Sequence, residues 1–258
     1  MPEAVRLEIC CGSLEDALAA REGGADRIEL SSALCVGGLT PSLGTILEVK
    51  ARAGVPVMVM IRPRAAGFHY RHAEIVVMER DLEAALQAGA DGVVFGALRA
   101  DGSVDEDACR RLRSAVRDRE VVFHRAFDVT PDPFRALEQL IDQGFTRVLT
   151  SGQRASALLG STTLRRLIEQ ARGRIEVLPG GGIRAHNVQE IVRATGCRQV
   201  HLSAFGTRSD PSTAARPDLS FVSDHLAPDQ YAETDPAKVR EVARALRPEA
   251  PPAAGLPG

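Results

Sequence analysis

Eight short apolar and β-branched runs, evenly spaced along the chain, constrain its fold more than any other feature. They cover residues 7–10, 27–30, 57–61, 92–95, 121–124, 147–150, 175–178 and 199–203. Each is strand-length and apolar on successive residues, so it needs cover on both faces. Segments with helical spacing separate them. Helix-start signals open several: Ser13 with Asp16 three residues on, Thr40-Pro41, Thr130-Pro131 and Asp235-Pro236. The helix-to-strand joints also repeat, as Gly24-Ala25-Asp26, Gly89-Ala90-Asp91, Gly144-Phe145-Thr146 and Gly196-Cys197-Arg198.

Eight repeated strand–helix units predict an α/β fold of the closed (β/α)8 or TIM-barrel type, a single domain over residues 1–247. A Pro-, Ala- and Gly-rich tail at 248–258 is expected to fray. A doubly wound open sheet is the competing arrangement. Against it, neither G-x-G-x-x-G nor G-x-x-x-x-G-K-[ST] follows the first strand, so no nucleotide cofactor is expected. The Pro-, Ser- and Asp-containing stretch 205–234 breaks the rhythm before the last helix and reads as a lid or a subunit contact.

Charge and composition remove several function classes. Lys plus Arg total 32 against 34 Asp plus Glu, a net charge of −2, so no basic surface marks a nucleic-acid or anionic-membrane partner. No apolar run approaches the roughly 18 residues of a membrane span, and the opening MPEAVRLEICCG lacks a basic region followed by an apolar one. Cys10, Cys11, Cys35, Cys109 and Cys197 form an odd set without zinc spacing, which fits free thiols in a reducing, cytoplasmic setting.

In such a barrel the reacting groups sit at the C-terminal ends of strands. Glu8 and Glu29 interrupt strands 1 and 2, Arg62 and Arg64 follow strand 3, and His124 and Arg125 end strand 5 with Asp128 beyond. His201 and Ser203 lie on strand 8. A carboxylate within an apolar strand must face the lumen and find a partner, and Arg62 and Arg125 are the expected ones. The cluster reads either as a structural plug or as a pocket for an anion held by Arg62, Arg64 and Arg125. In the second case Glu8, Glu29, Asp128 or His124 would carry protons. Gly180, Gly181 and Gly182 follow strand 7, with Ser151-Gly152 and Ser203 on neighbouring loops. These are either backbone donors for a phosphate or a tight loop needing positive φ.

For a metal, Cys10 shares the face of Glu8, whereas Cys11 points away if the strand stays extended, making the adjacent pair a poor chelate. Cys35, Met58 and Met60 are further soft donors suited to Cu(I), although Cys and Met are common core fillers.

Several ordered blocks resemble the CutC family, whose members are labelled copper homeostasis proteins. They are LEICCGSLEDALAAREGGADRIEL (7–30), GGLTPSLG (37–44), MIRPR (60–64), DGVVFGAL (91–98), FHRAFD (123–128), RVLTSG (147–152) and LPGGGIR (178–184). The resemblance implies a TIM barrel, a cytoplasmic location, a homo-oligomer and a role in copper handling. It also marks two departures. The family's Cu(I) cysteine pair corresponds to Cys10 and position 31, which here is Ser31. A Gly-Gly-Asp after the MIRPR block is replaced by Ala65-Ala66-Gly67, which removes a carboxylate from the mouth. Two functions follow: a Cu(I) handler with Cys10 as primary ligand completed by Cys11 or Cys35, or a barrel enzyme acting on a small anionic or phosphorylated substrate. A regulatory or scaffold role through 205–234 is a third.

Overall fold

A computed structural model describes residues 4–216, 218–222 and 226–247. The eight runs become parallel strands: β1 (Arg6–Cys11), β2 (Arg27–Leu30), β3 (Val57–Met60), β4 (Gly92–Phe95), β5 (Glu120–Phe123), β6 (Arg147–Thr150), β7 (Glu176–Pro179) and β8 (Gln199–Leu202). Their order is β7-β6-β5-β4-β3-β2-β1-β8, and a parallel bridge between Gly180 and His201 joins the two ends. That closure makes a (β/α)8 barrel and excludes the doubly wound sheet.

The surrounding helices are α1 (Leu14–Glu22), α2 (Leu43–Arg52), α3 (His72–Gln87), α4 (Glu106–Ser114), α5 (Pro133–Asp142), α6 (Ser161–Ala171), α7 (Val188–Thr195) and α8 (Pro236–Leu246). Ser13 and Asp235 cap α1 and α8 as expected. Thr40 and Thr130 do not cap helices. Ser42 and Asp132 take that role two residues later, while Thr40 Oγ1 accepts from the Arg62 amide at 3.0 Å. No helix among the described residues is long and apolar enough to cross a membrane.

The repeated joints have a specific use. At three of them a glycine with positive φ (Gly24, Gly89, Gly144) turns the chain, and the residue two later holds an amide in the first two residues of the preceding strand. Asp26 accepts from Leu7 N at 2.8 Å, Asp91 from Val57 N at 2.8 Å, and Thr146 from Val121 N at 3.0 Å. At the fourth, Arg198 O accepts from Arg6 N at 2.9 Å, which ties the joint to β1 and not to the preceding strand.

Period-two alternation then divides the strands. Leu7, Ile9, Cys11, Ile28, Leu30, Val57 and Val59 face the helices, while Met58, Met60, Val94, Val122, Leu149 and Leu178 fill the lumen. The lumen floor is charged. Arg147 forms ion pairs with Glu176 and Glu120, each at 2.8 Å, Arg27 pairs with Glu8 and reaches Gln199 at 2.8 Å, and Gln199 donates to Glu176 at 3.1 Å.

The stretch 205–234 begins and ends as an antiparallel hairpin, β9 (Phe205–Ser209) with β10 (Gln230–Thr234). It docks on α1 through Thr234 N, which donates to Asp16 at 2.5 Å. The tail at 248–258 lies outside the described residues.

Asp91→Ala should lower stability by about 1–3 kcal/mol, because it strands the buried amide of Val57. Lys50→Ala, which removes only the half-exposed ion pair to Asp91, should cost less than about 1 kcal/mol. Urea unfolding of both variants checks the ranking.

Candidate active site

Parallel pairing sets β1 between β2 and β8, with Glu8 opposite both Arg27 and His201. Glu8 accepts from Arg27 and from His201 Nδ1, the latter at 2.8 Å. One layer nearer the mouth, Cys10 lies opposite Glu29, and its thiol donates to Glu29 Oε1 at 3.6 Å. His201 Nε2 stands 4.0 Å from that same oxygen. A polar column therefore climbs one wall of the lumen from the floor to the mouth.

The column sets its own charges. Burial works against ionised Glu8, but Arg27 and the His201 hydrogen bond outweigh it and hold the carboxyl well below its ordinary range. Burial raises Glu29 and prevails over the pull of His201. His201 is buried too, yet Glu29 and Glu8 together raise it above its ordinary 6.5. Burial, then Glu29, keeps the Cys10 thiol protonated.

The opposite wall is made of donors. Arg62 gives Nη1 to Val36 O at 3.0 Å and Gly38 O at 2.9 Å, and Nη2 to Ala66 O at 2.7 Å. Phe68 lies against both its guanidinium, 5.1 Å from the ring centroid, and the His124 ring at 4.9 Å. His124 Nδ1 accepts from Ala126 N at 3.2 Å, which places the ring proton on Nε2. Burial, then Arg62, pushes its pKa down to about 3, so the ring is neutral. Gly96 makes room for it, since a Cβ there would come 2.7 Å from Nδ1.

A cavity of about 360 Å³ separates the walls. Cys10, Glu29 and His201 line one side, and Met60, Arg62, Phe68 and His124 the other. Arg125, Gly181, Gly182, Arg184, Ser203 and Phe205 form the rim. Three buried atoms of lining side chains have no hydrogen-bond partner among the described residues: Arg62 Nε, His124 Nε2 and Glu29 Oε2.

Other expected site residues serve the fold. Glu8 and Glu29 do not pair with Arg62 and Arg125. Glu8 takes Arg27, and Arg62 is spent on carbonyls. Arg64 pairs with Glu74 at 2.5 Å and donates to Gly67 O and His69 O, so it does not line the cavity. Asp128 is no free proton carrier, because it accepts from Thr150, Ser151, Gln153 and Arg125. Ser151 completes that loop by donating to Arg154 O at 2.6 Å, and Gly152 packs on the Gly160 backbone. Gly180 packs on Leu149 and His201 beneath the rim. His124, held neutral, is a donor at working pH and carries no exchangeable charge there.

Cys11 is likewise no partner to Cys10 as a ligand: it is fully buried in the outer core, its thiol turned to Ile9 O at 3.7 Å. Cys35 is exposed and does not line the cavity. Ser31 is buried at the end of β2, its hydroxyl without a hydrogen-bond partner among the described residues, and offers no second thiolate. A metal-sized cluster does form from Cys10, Glu29 and His201, whose donor atoms all lie within 4.8 Å of one another.

The barrel that carries this site is shared with known proteins. The CutC family model matches residues 5–206, and the chain belongs to that family. A family protein CutC of Treponema denticola is 49% identical over 84% of this chain and 88% of its own length. The human copper homeostasis protein cutC homolog is 48% identical over 91% of this chain and 86% of its own. The crystal structure of a CutC protein from Streptococcus agalactiae superposes with a TM-score of 0.73 at 36% identity, covering 77% of this chain and 98% of that one.

Histidine NMR across pH 8 to about 5 should show His124 unchanged and neutral with its proton on Nε2, and His201 still charged above its ordinary value. The two residues act on stability with opposite signs. Below 6.5 the unfolded chain protonates His124 and the folded chain does not, so acidification towards about 3 destabilises through it. His201 stabilises below 6.5, a contribution lost as pH rises through its higher folded value. His124→Gln should therefore lose less stability than the wild-type chain between pH 7 and about 5, read from urea midpoints.

Proposed function

We propose that the mouth is a catalytic pocket for a small anionic organic molecule, on which Glu29 moves a proton with His201 and Glu8 positioning it. The observation that carries this reading is the set of unmade hydrogen bonds. A buried polar atom left unpaired costs roughly 1–3 kcal/mol, a cost that a ligand carrying the missing partner removes. Here two donors and one acceptor belong to side chains lining a single cavity. The donors and the exposed Arg184, which forms no ion pair among the described residues, favour negative charge. The volume suits a small ligand.

Binding of inorganic phosphate, oxalate and malonate, measured by calorimetry, tests it. At least one should bind, with affinity falling about tenfold or more in Arg62→Met and in His124→Phe, as expected for lost charge-assisted or buried hydrogen bonds. Arg64→Ala should leave it unchanged. No binding, or equal binding by all variants, removes the reading.

Copper homeostasis, the role in the name of the human relative, is the second reading, and the Cys10, Glu29 and His201 cluster favours it. Cu(I) would take Cys10 as its sulfur ligand in a cytoplasmic protein, after the buried thiol gives up its proton. One sulfur, one nitrogen and one carboxylate match a borderline ion such as Zn(II) better than soft Cu(I), and Ser31 stands where a second thiolate would be needed. An anaerobic Cu(I) titration against a calibrated chelator decides. One tight equivalent lost in Cys10→Ala supports copper binding. Failure of the wild-type chain alongside a gain in Ser31→Cys assigns the loss to position 31.

A further inference from the structure

We infer that the pocket takes a small carbonyl compound bearing one anionic group and shuttles a proton at the carbon beside the carbonyl. Glu29 is the base, and His124 Nε2–H and Arg62 Nε–H are the donors for the enolate oxygen. This rests on the catalytic reading above and names its substrate class and reaction.

The geometry selects this chemistry in three steps. First, the unpartnered atoms differ in kind between the two walls. The β3–β5 side offers only donors, Arg62 Nε and His124 Nε2, while the β2 side offers an acceptor, Glu29 Oε2. An oxygen that gains negative charge during reaction belongs against the donors, and a group that gives up a proton belongs against the carboxylate. A ketone or aldehyde and its neighbouring C–H present those two functions on adjacent atoms.

Second, the donor wall is built to remain a donor wall. The Ala126 amide fixes the His124 tautomer, Gly96 and Phe68 fix its ring, and three backbone carbonyls hold the Arg62 guanidinium. His124, kept neutral, can polarise a carbonyl through its N–H without adding a fixed charge. Third, the other common way to stabilise a carbanion, an imine on lysine, is not available in this pocket. The chain has two lysines, Lys50 and Lys238. Lys50 pairs with Asp91 at the far end of the barrel, Lys238 donates to Phe205 O from the surface, and neither lines the cavity.

The step balances without a co-reactant. Glu29 Oε2 takes the proton from carbon, the C–H electron pair forms the C=C bond, and the carbonyl π pair moves to the oxygen held by His124 and Arg62. Return of the proton to the same carbon gives exchange; where that carbon also bears a hydroxyl, transfer of the hydroxyl proton to the enolate oxygen and return of the carbon proton to the former carbonyl carbon gives isomerisation. The anionic end lies at the rim, beside Arg184 and the Gly181-Gly182 turn.

The full chain is incubated in D2O with pyruvate, which has a carboxylate anchor, or dihydroxyacetone phosphate, which has a phosphate anchor. NMR follows loss of the α-hydrogen signal, and calorimetry gives probe affinity. At least one probe should exchange, and which one identifies the anchor. In Glu29→Gln the rate should fall about 100-fold or more while affinity changes less than about threefold. Glu29→Asp, which keeps the charge and retracts the base, should lose about tenfold or more, and His124→Gln about 100-fold. A probe that binds through Arg62 and His124 but exchanges no faster than in Glu29→Gln overturns the inference and leaves the anion pocket standing. So does binding of oxalate or phosphate with neither carbonyl probe bound. If no anion binds at all, both fall.

Discussion

A charge inside a barrel lumen must be answered by another within the same lumen, and the rest of this structure follows from how that requirement is met. Glu8 is 2% exposed and Arg27 is 4% exposed, so removing either would leave its partner as an uncompensated buried charge, a loss of roughly 3–5 kcal/mol. Their pairing is possible because β1 lies between β2 and β8 in one register. A slip of one residue would turn Glu8 and Glu29 into the apolar layer under the helices and bring Ile9 and Ile28 into the lumen. The ion pair thus fixes the register, and the register sets Cys10, Glu29 and His201 side by side one layer higher.

That layering explains which parts of the molecule were legible in the sequence. Strand positions could be read within about two residues because a buried parallel strand has to be apolar on both faces, a demand that local sequence satisfies by itself. The lumen-facing set was legible too. Glu8, Cys10, Glu29, His124 and His201 are all where alternation puts them. The partners were not. Arg27 sits two residues before Glu29 and shares its face, but whether it meets Glu8 depends on the stagger between strands, which no local pattern specifies. Arg64 and Asp128 misled for a different reason. A charged residue just past a strand end can turn inward to a ligand or outward to a loop: Arg64 turned back to carbonyls of its own loop, and Asp128 to amides of the neighbouring loop after β6. Phe68 and Phe205 gave no signal, because a lone aromatic in a loop looks the same whether it lines a pocket or covers a surface.

The helix caps carry the same lesson on a smaller scale. Thr40 and Thr130 precede prolines and look like caps, yet their hydroxyls bond the Arg62 amide and Phe127 O in loops before the helix. The residues that cap, Ser42 and Asp132, sit closer to the first turn. At the Gly-Ala-Asp joints local and tertiary demands agree. The glycine supplies the left-handed turn and the aspartate an acceptor for the neighbouring strand, which is why the repeated pattern could be recognised from sequence alone.

The two functional readings compete for the same atoms, and the wall opposite those atoms bears on the choice. A cation on Cys10, Glu29 and His201 would use the unpartnered oxygen of Glu29 and relieve that one unmade bond. It would do nothing for His124 Nε2–H or Arg62 Nε–H, both of which need an acceptor, and it would face the guanidinium charge of Arg62 across the cavity. An organic anion with a polarisable oxygen answers both donors at once, and one that also carries a hydroxyl or an acidic C–H sets that hydrogen against Glu29 Oε2. A metal ion answers them only if it arrives with an anion of its own, whose oxygen would rest against the donor wall. In either case that wall calls for a negatively charged oxygen, a requirement that the identity of residue 31 does not alter.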